Sequence, residues 1–320
     1  MAFALASPVM AQLTLTPAGV SQGLGLSTFA TGFPTAFSGT LGPLGIAFTA
    51  GGGVLVSDRQ GNVRLFATDA DGQIASAAPV GQNYGDGDAL GLAKVGANFY
   101  MAQGQAGKIV QINANGTFNQ DIVTGLSLPP AGMAVNPTNG HLFVSTGGSN
   151  QIYDVDPVAR TKTLFMTVSG PDGLSISDGN TLYVAAAGTG HILGYNIATK
   201  TQVFDSGFIP GGVDGTAAGS GPFSNLLFVN LNNGSVVEVN LTTAAQTVIA
   251  NGGSRGDFVT VDPSNNTLLL TQSSSVVRLN GASFVPEPTS MVLLGLSAVL
   301  FTARRNRTRV CAAGEGKGER

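Results

Sequence analysis

Apolar residues in this chain come in short runs separated by polar, glycine-rich turns. Between positions 44 and 284 they do not recur at the three-and-four spacing of an amphipathic helix. The repeated unit is a strand, a tight turn and a second strand, found at 54–66, 99–112, 142–155, 182–195, 227–239 and 268–279. A further short strand precedes each copy, at 45–48, 89–93, 132–135, 173–176, 215–217 and 258–261. From Gly132 to Gly173, Gly215 and Phe258 these openings advance by 41, 42 and 43 residues. A period of about 40–50 residues built from short strands predicts a β-propeller, and six copies predict six blades. One four-stranded sheet has two apolar faces and buries neither alone. Packing the sheets around an axis buries both and leaves only short edges. Pairs such as Asn115-Gly116 and Asn233-Gly234 supply the positive φ that tight hairpins require.

The sixth unit lacks an outer strand, and the segment 26–33 upstream of the repeats matches the outer strands at 120–125 and 163–167. The chain is therefore expected to be an all-β, six-bladed propeller whose N-terminal strand closes the last blade. Pro130-Ala131-Gly132, Pro171-Asp172-Gly173 and Leu182-Tyr183-Val184-Ala185 resemble the NHL-type and SMP-30/gluconolactonase-like propellers. For the gluconolactonases, that resemblance implies a metal held by a glutamate near the start of the chain, an Asn and an Asp. Here the first glutamate is Glu238, within a hairpin strand, so the pattern is broken. Asn225 precedes a strand but has no partner pattern.

After the repeats come Pro286-Glu287-Pro288, an apolar run over 291–303, and Arg304, Arg305, Arg307 and Arg309. Proline keeps the first part extended. The run is shorter than the roughly 20 residues of a stable spanning helix. The arginines would stop it in the bilayer, being costly at the membrane centre and enriched on the cytoplasmic side. This order resembles the PEP-CTERM sorting signal of Gram-negative surface proteins, which an exosortase recognises and cuts. The resemblance implies export, transient anchoring in the inner membrane by a short transmembrane helix, and delivery to the cell envelope or extracellular matrix. Exopolysaccharide or other surface proteins would be partners there. The apolar stretch 2–10, with Val9-Met10-Ala11 before Gln12, is expected to be a partial signal peptide. The expected organisation is thus a leader at 1–11, an N-terminal segment at 12–43 holding the closing strand, repeats at 44–284, a sorting signal at 285–309 and a polar tail at 310–320.

Only 10% of residues are charged, and the one cysteine, Cys311, lies beyond the sorting signal. A processed form would hold no thiol, which excludes disulfides, Cys-ligated zinc and thiol nucleophiles. A net charge of −3 without a basic cluster before Arg304 argues against nucleic acid binding. Candidate chemistry sits just before the inner strands, at Asp88, Asp172, Asp214 and Asp257. Repetition at one structural position would bring these carboxylates to one mouth of the channel, where they suit a cation or a polyol. Alternatively, each Asp caps its own turn. The stretch Asp69-Ala70-Asp71-Gly72 opens like a calcium loop, but no distant glutamate completes it. An Asp-Gly hairpin is expected there, and no cofactor. His141 and His191, about one blade apart, read as turn or strand-edge residues in similar places of their repeats. Two functions stay open: a non-enzymatic binding or scaffold module, and a lactonase or lyase working at the channel mouth.

Overall fold

The computed structural model describes residues 12–177 and 179–281. The leader, the sorting signal with its prolines and arginines, and the polar tail lie outside them. Among the described residues no helix is long and apolar enough to cross a membrane.

Six antiparallel sheets each run from an inner to an outer strand. Blade 1 holds Pro43–Phe48, Val54–Asp58, Asn62–Phe66 and Val80–Asn83; blade 2 holds Leu92–Val95, Asn98–Gln103, Lys108–Ile112 and Phe118–Val123. Blade 3 is Pro130–Val135, Leu142–Thr146, Gln151–Asp156 and Thr161–Thr167; blade 4 is Pro171–Ser177, Thr181–Ala186, His191–Asn196 and Gln202–Phe208. Blade 5 is Val213–Ala218, Leu226–Leu231, Val236–Asn240 and Gln246–Asn251. Blade 6 combines Val259–Val261, Leu268–Thr271 and Ser275–Gly281 with Leu24–Thr31 from the other end of the chain. The closing strand pairs Leu26 with Leu279 and Thr31 with Ser275. It starts and stops two residues earlier than the sequence suggests. Gly32 turns the chain at φ +76°, and Phe33 leaves the ladder to enter the core.

The second strands are buried along their whole length in blades 1, 3 and 4, because a neighbouring blade covers each face. Their apolar content follows from that two-sided burial. Each gap between blades has its own core. Between blades 6 and 1, for example, Phe29, Ala30 and Leu269 pack on Val54, Val56 and Phe66. Phe29 meets Phe66 edge-on, with ring centroids 5.1 Å apart.

Two short strands extend the predicted sheets. Thr14–Leu15 adds to the outer strand of blade 5, and Gln73–Ile74 pairs in parallel with the closing strand of blade 6. The second of these corrects the hairpin expected at Asp71-Gly72. The connection between the third and fourth strands of blade 1 leaves its own blade and crosses to blade 6, where the Gly72 amide donates to the Thr28 carbonyl. The reason is Arg278, whose side chain is 7% exposed. Its Nε donates to Asp71 Oδ1 at 2.9 Å, its Nη2 to the Asp69 carbonyl, and its Nη1 to Asp262 Oδ2 at 2.8 Å and Thr267 Oγ1. The Asp-x-Asp-Gly stretch is therefore a clamp on a buried arginine.

Candidate functional site

The inner strands start at one end of the central channel, and there neighbouring blades approach closely. A Cβ built on Gly91, Gly132, Gly173 or Gly215 would lie 2.2 Å from the carbonyl oxygen of Ala131, Asp172, Asp214 or Asp257, each on the next blade. Glycine is needed at these openings for close backbone approach. Blade 6 has Phe258 at that position. Its ring crosses towards blade 2, with Cε1 3.4 Å from the point a Gly91 Cβ would occupy. Beyond the openings, a cavity of about 480 Å³ is lined by all six inner strands, including Phe48, Leu92, Met133, Leu174, Thr216 and Val259.

Asp172, Asp214 and Asp257 immediately precede Gly173, Gly215 and Phe258 on three successive blades, and the structure brings these three together. The Asp214 and Asp257 side chains are 3% and 8% exposed, while Asp172 is half-buried. Arg255 sits among them. Its Nη2 donates to Asp214 Oδ2 at 3.2 Å and to Asp257 Oδ1 at 2.9 Å, and its Nε donates to Asp257 Oδ1 at 3.0 Å. Asn232 also bonds to the Asp214 carboxyl.

Asp88 does not join the cluster. It stands two residues before Leu90, the counterpart of Asp172, and its Oδ1 accepts the amides of Gln105 and Ala106 at 2.7 and 2.8 Å. Turn capping thus accounts for Asp88 and not for the other three. Arg255 escapes a search for repeated acids because it occurs once. Its signal in the sequence is isolation: it is the single basic residue between Lys200 and Arg278, two positions before Asp257.

Two of the three carboxyls hydrogen-bond one guanidinium, and burial is the largest influence on the titration of all three. Burial, with Asp257 adding to it and Arg255 opposing it, raises Asp172 to about 6. Asp214 is raised well above the ordinary carboxylate range by burial, Asp172 and Asp257, against Arg255 and Asn232. Burial raises Asp257 despite the Arg255 pairing. A carboxyl whose folded pKa is raised contributes stability below its unfolded pKa and loses it as pH rises through the folded value. The window for Asp172 runs from 3.8 to about 6. The thermal midpoint is therefore expected to fall as pH rises across that range. Asp172→Asn should flatten the fall and raise the midpoint at pH above it, as scanning calorimetry over a pH series would show. An unchanged slope in the variant would place the effect elsewhere.

The remaining candidates lie apart from the mouth. His141, just before the second strand of blade 3, holds Asp154 through Nδ1 at 2.8 Å and approaches Asp156 through Nε2 at 3.4 Å. His191 begins the third strand of blade 4, holds Asp205 at 2.8 Å and lies edge-on to Phe208. Successive strands run in opposite directions, so the two imidazoles mark opposite ends of their blades, which corrects the expectation of similar places. Asn225 is exposed, and its carbonyl accepts the Leu241 amide at the end of the blade away from the carboxylates.

The resemblance to the gluconolactonases implies a metal, and the donor set at this mouth does not suit one. Hard cations such as Ca²⁺ gather six to eight oxygens at roughly 2.3–2.6 Å. Here the carboxylates surround a guanidinium at hydrogen-bond distances. Among the described residues no group of three His, Cys, Asp or Glu side chains is placed to hold a metal ion.

Residues 284–307 match the PEP-CTERM protein-sorting motif. That motif marks an exported protein, anchored in the membrane during sorting and processed by an exosortase. The fold is similar to that of a gluconolactonase from Xanthomonas campestris, at a TM-score of 0.65 and 16% identity over 87% of this chain and 99% of that one. It is also similar to virginiamycin B lyase from Staphylococcus aureus, at a TM-score of 0.56 and 14% identity over 80% and 99%. An auxiliary nutrient binding protein from Bacteroides thetaiotaomicron aligns at 0.60 and 11% over 80% and 76%. At these identities the likeness extends to the fold alone, a six-bladed propeller. A search of curated protein sequences gives no match.

Proposed function

We propose that the chain is an exported surface propeller acting as a binding module of the extracellular matrix, with a neutral, hydroxyl-rich ligand such as a polysaccharide at the carboxylate mouth. The observation that carries this reading is the mouth's chemistry. It offers the half-buried Asp172 carboxyl as an acceptor and the part-exposed Arg255 guanidinium, held in place by Asp214 and Asp257, as a donor, which together match the donors and acceptors of sugar hydroxyls. The excess of acids disfavours phosphates and sulfates. The PEP-CTERM motif supports a place outside the cell for such binding.

Titration calorimetry of the purified protein against a panel of neutral and acidic bacterial polysaccharides tests the reading. Binding of a neutral glycan is expected, weakened about tenfold or more by Asp172→Asn through loss of a charge-assisted hydrogen bond, and by Asp214→Asn through loss of the carboxyl that positions Arg255. Metal-dependent turnover of an aldonolactone, abolished by Asp214→Asn, would instead establish the hydrolase alternative.

A further inference from the structure

The carboxylates at the mouth raise a question of charge balance that is separate from the ligand's identity. Asp172, Asp214 and Asp257 come from equivalent positions of three successive blades, so the repeat itself generates the concentration of negative charge. Two of their side chains are less than a tenth exposed. Carboxylates in that state need a partner within the protein, because an ionised group without one is expelled from a low-dielectric site or takes up a proton.

We propose that Arg255 is a built-in replacement for a divalent cation: a guanidinium covalently fixed among carboxylates that would otherwise need a metal to balance their charge, so that the mouth is organised without one. Three observations carry this. Among the described residues Arg255 is the only basic side chain paired with Asp214 or Asp257, and its Nη2 bridges blades 5 and 6. It reaches the mouth from the loop entering the sixth inner strand, next to Phe258, whose ring stands where the other blades have glycine. The guanidinium is also planar and wider than a metal ion. It holds Asp214 Oδ2 and Asp257 Oδ1 at 3.2 and 2.9 Å from one nitrogen, beyond the separations at which oxygens converge on a hard cation. Arg255 Nη1 has no hydrogen bond among the described residues, and the side chain is 36% exposed. It thus keeps donors for an acceptor oxygen of a bound molecule. A metal would present a Lewis acid at this point; the arginine presents a directional donor.

The test uses the full chain, stripped with EDTA and dialysed. Inductively coupled plasma mass spectrometry measures retained metal, and thermal midpoints are recorded with and without millimolar Ca²⁺ or Mn²⁺. The wild type is expected to retain no stoichiometric cation and to keep its midpoint when either is added. Arg255→Met removes the charge while keeping much of the apolar stem. It should melt lower, regain stability on addition of Ca²⁺ or Mn²⁺, and bind Mn²⁺ more than about tenfold tighter than the wild type. Adding Asp214→Asn to that variant should remove the gain. Arg255→Lys retains a cation and should stay insensitive to metal, which keeps the comparison available if the methionine variant does not fold. A wild type that retains one divalent cation per chain, lost on Asp214→Asn, would overturn the proposal. So would an Arg255→Met protein that folds and gains neither stability nor affinity from metal.

Discussion

Deletion of the chain through Phe33 is expected to abolish cooperative folding of the ring. The deletion removes the seven residue pairs that join Leu24–Thr31 to Ser275–Gly281. It also takes Phe29, Ala30 and Phe33 out of the core between blades 6 and 1, where they are 0%, 0% and 4% exposed. Loss of a buried phenylalanine alone costs about 3–5 kcal/mol, and each lost net hydrogen bond adds about 1 kcal/mol. Against a typical total of about 5–15 kcal/mol, the combined loss approaches the whole stability of the domain. The exposed edge of Ser275–Gly281 would also invite pairing with other chains. Circular dichroism melts and size-exclusion chromatography would show a broad, low transition with aggregation. Adding a peptide spanning 12–33 should restore part of the native transition. A truncated protein that melts at the full-length midpoint would refute the closure.

Arg278→Met is expected to cause one of the larger losses of any single substitution. The guanidinium is paired with Asp262, which is 0% exposed, and with Asp71, and it also bonds to Thr267 and the Asp69 carbonyl. Despite burial, Arg278 and Ser264 hold the Asp262 carboxyl below its ordinary range. Removing the arginine leaves that carboxylate without its cation, an error that costs about 3–5 kcal/mol. The same change loosens the 67–79 connection on blade 6, because the Asp69 carbonyl and Asp71 lose their anchor and only the Gly72 and Gln73–Ile74 pairings and Ser264 hold it there. Denaturant unfolding would measure the loss. The double variant Arg278→Met/Asp262→Asn should recover part of it, since the stranded charge is then gone. A single variant within about 0.5 kcal/mol of the wild type, the range of an ordinary surface change, would show the clamp to be dispensable.

The parts of this molecule that repeat were legible in its sequence, and the parts that occur once were not. Strand, turn and strand recur at a near-constant spacing, so the blades, their order and the closing strand follow from periodicity and from the need to bury both faces of each sheet. The positions of Asp172, Asp214 and Asp257 follow from the same repeat. Asp88 looked equivalent but stands two residues out of register, and only the strand pairing of blade 2 reveals the offset. Arg255 and Arg278 are single residues whose partners lie up to 209 positions away. No local pattern encodes such contacts. The Asp69-x-Asp71-Gly72 stretch shows the difficulty in physical terms. Carboxylates at alternate positions before a glycine suit a cation, a tight turn or an arginine equally well, and only the third dimension supplies the arginine.

The acidic mouth, with Arg255 held among three carboxyls from successive blades, is tested most directly by a ¹³C NMR titration of the aspartate carboxyls. One resonance is expected to titrate at about 6, to vanish in Asp172→Asn, and to shift when a bound neutral saccharide is present. Aspartates that all titrate near the ordinary value of about 3.9, unaffected by saccharide, would show separate solvated side chains and contradict the assembled site.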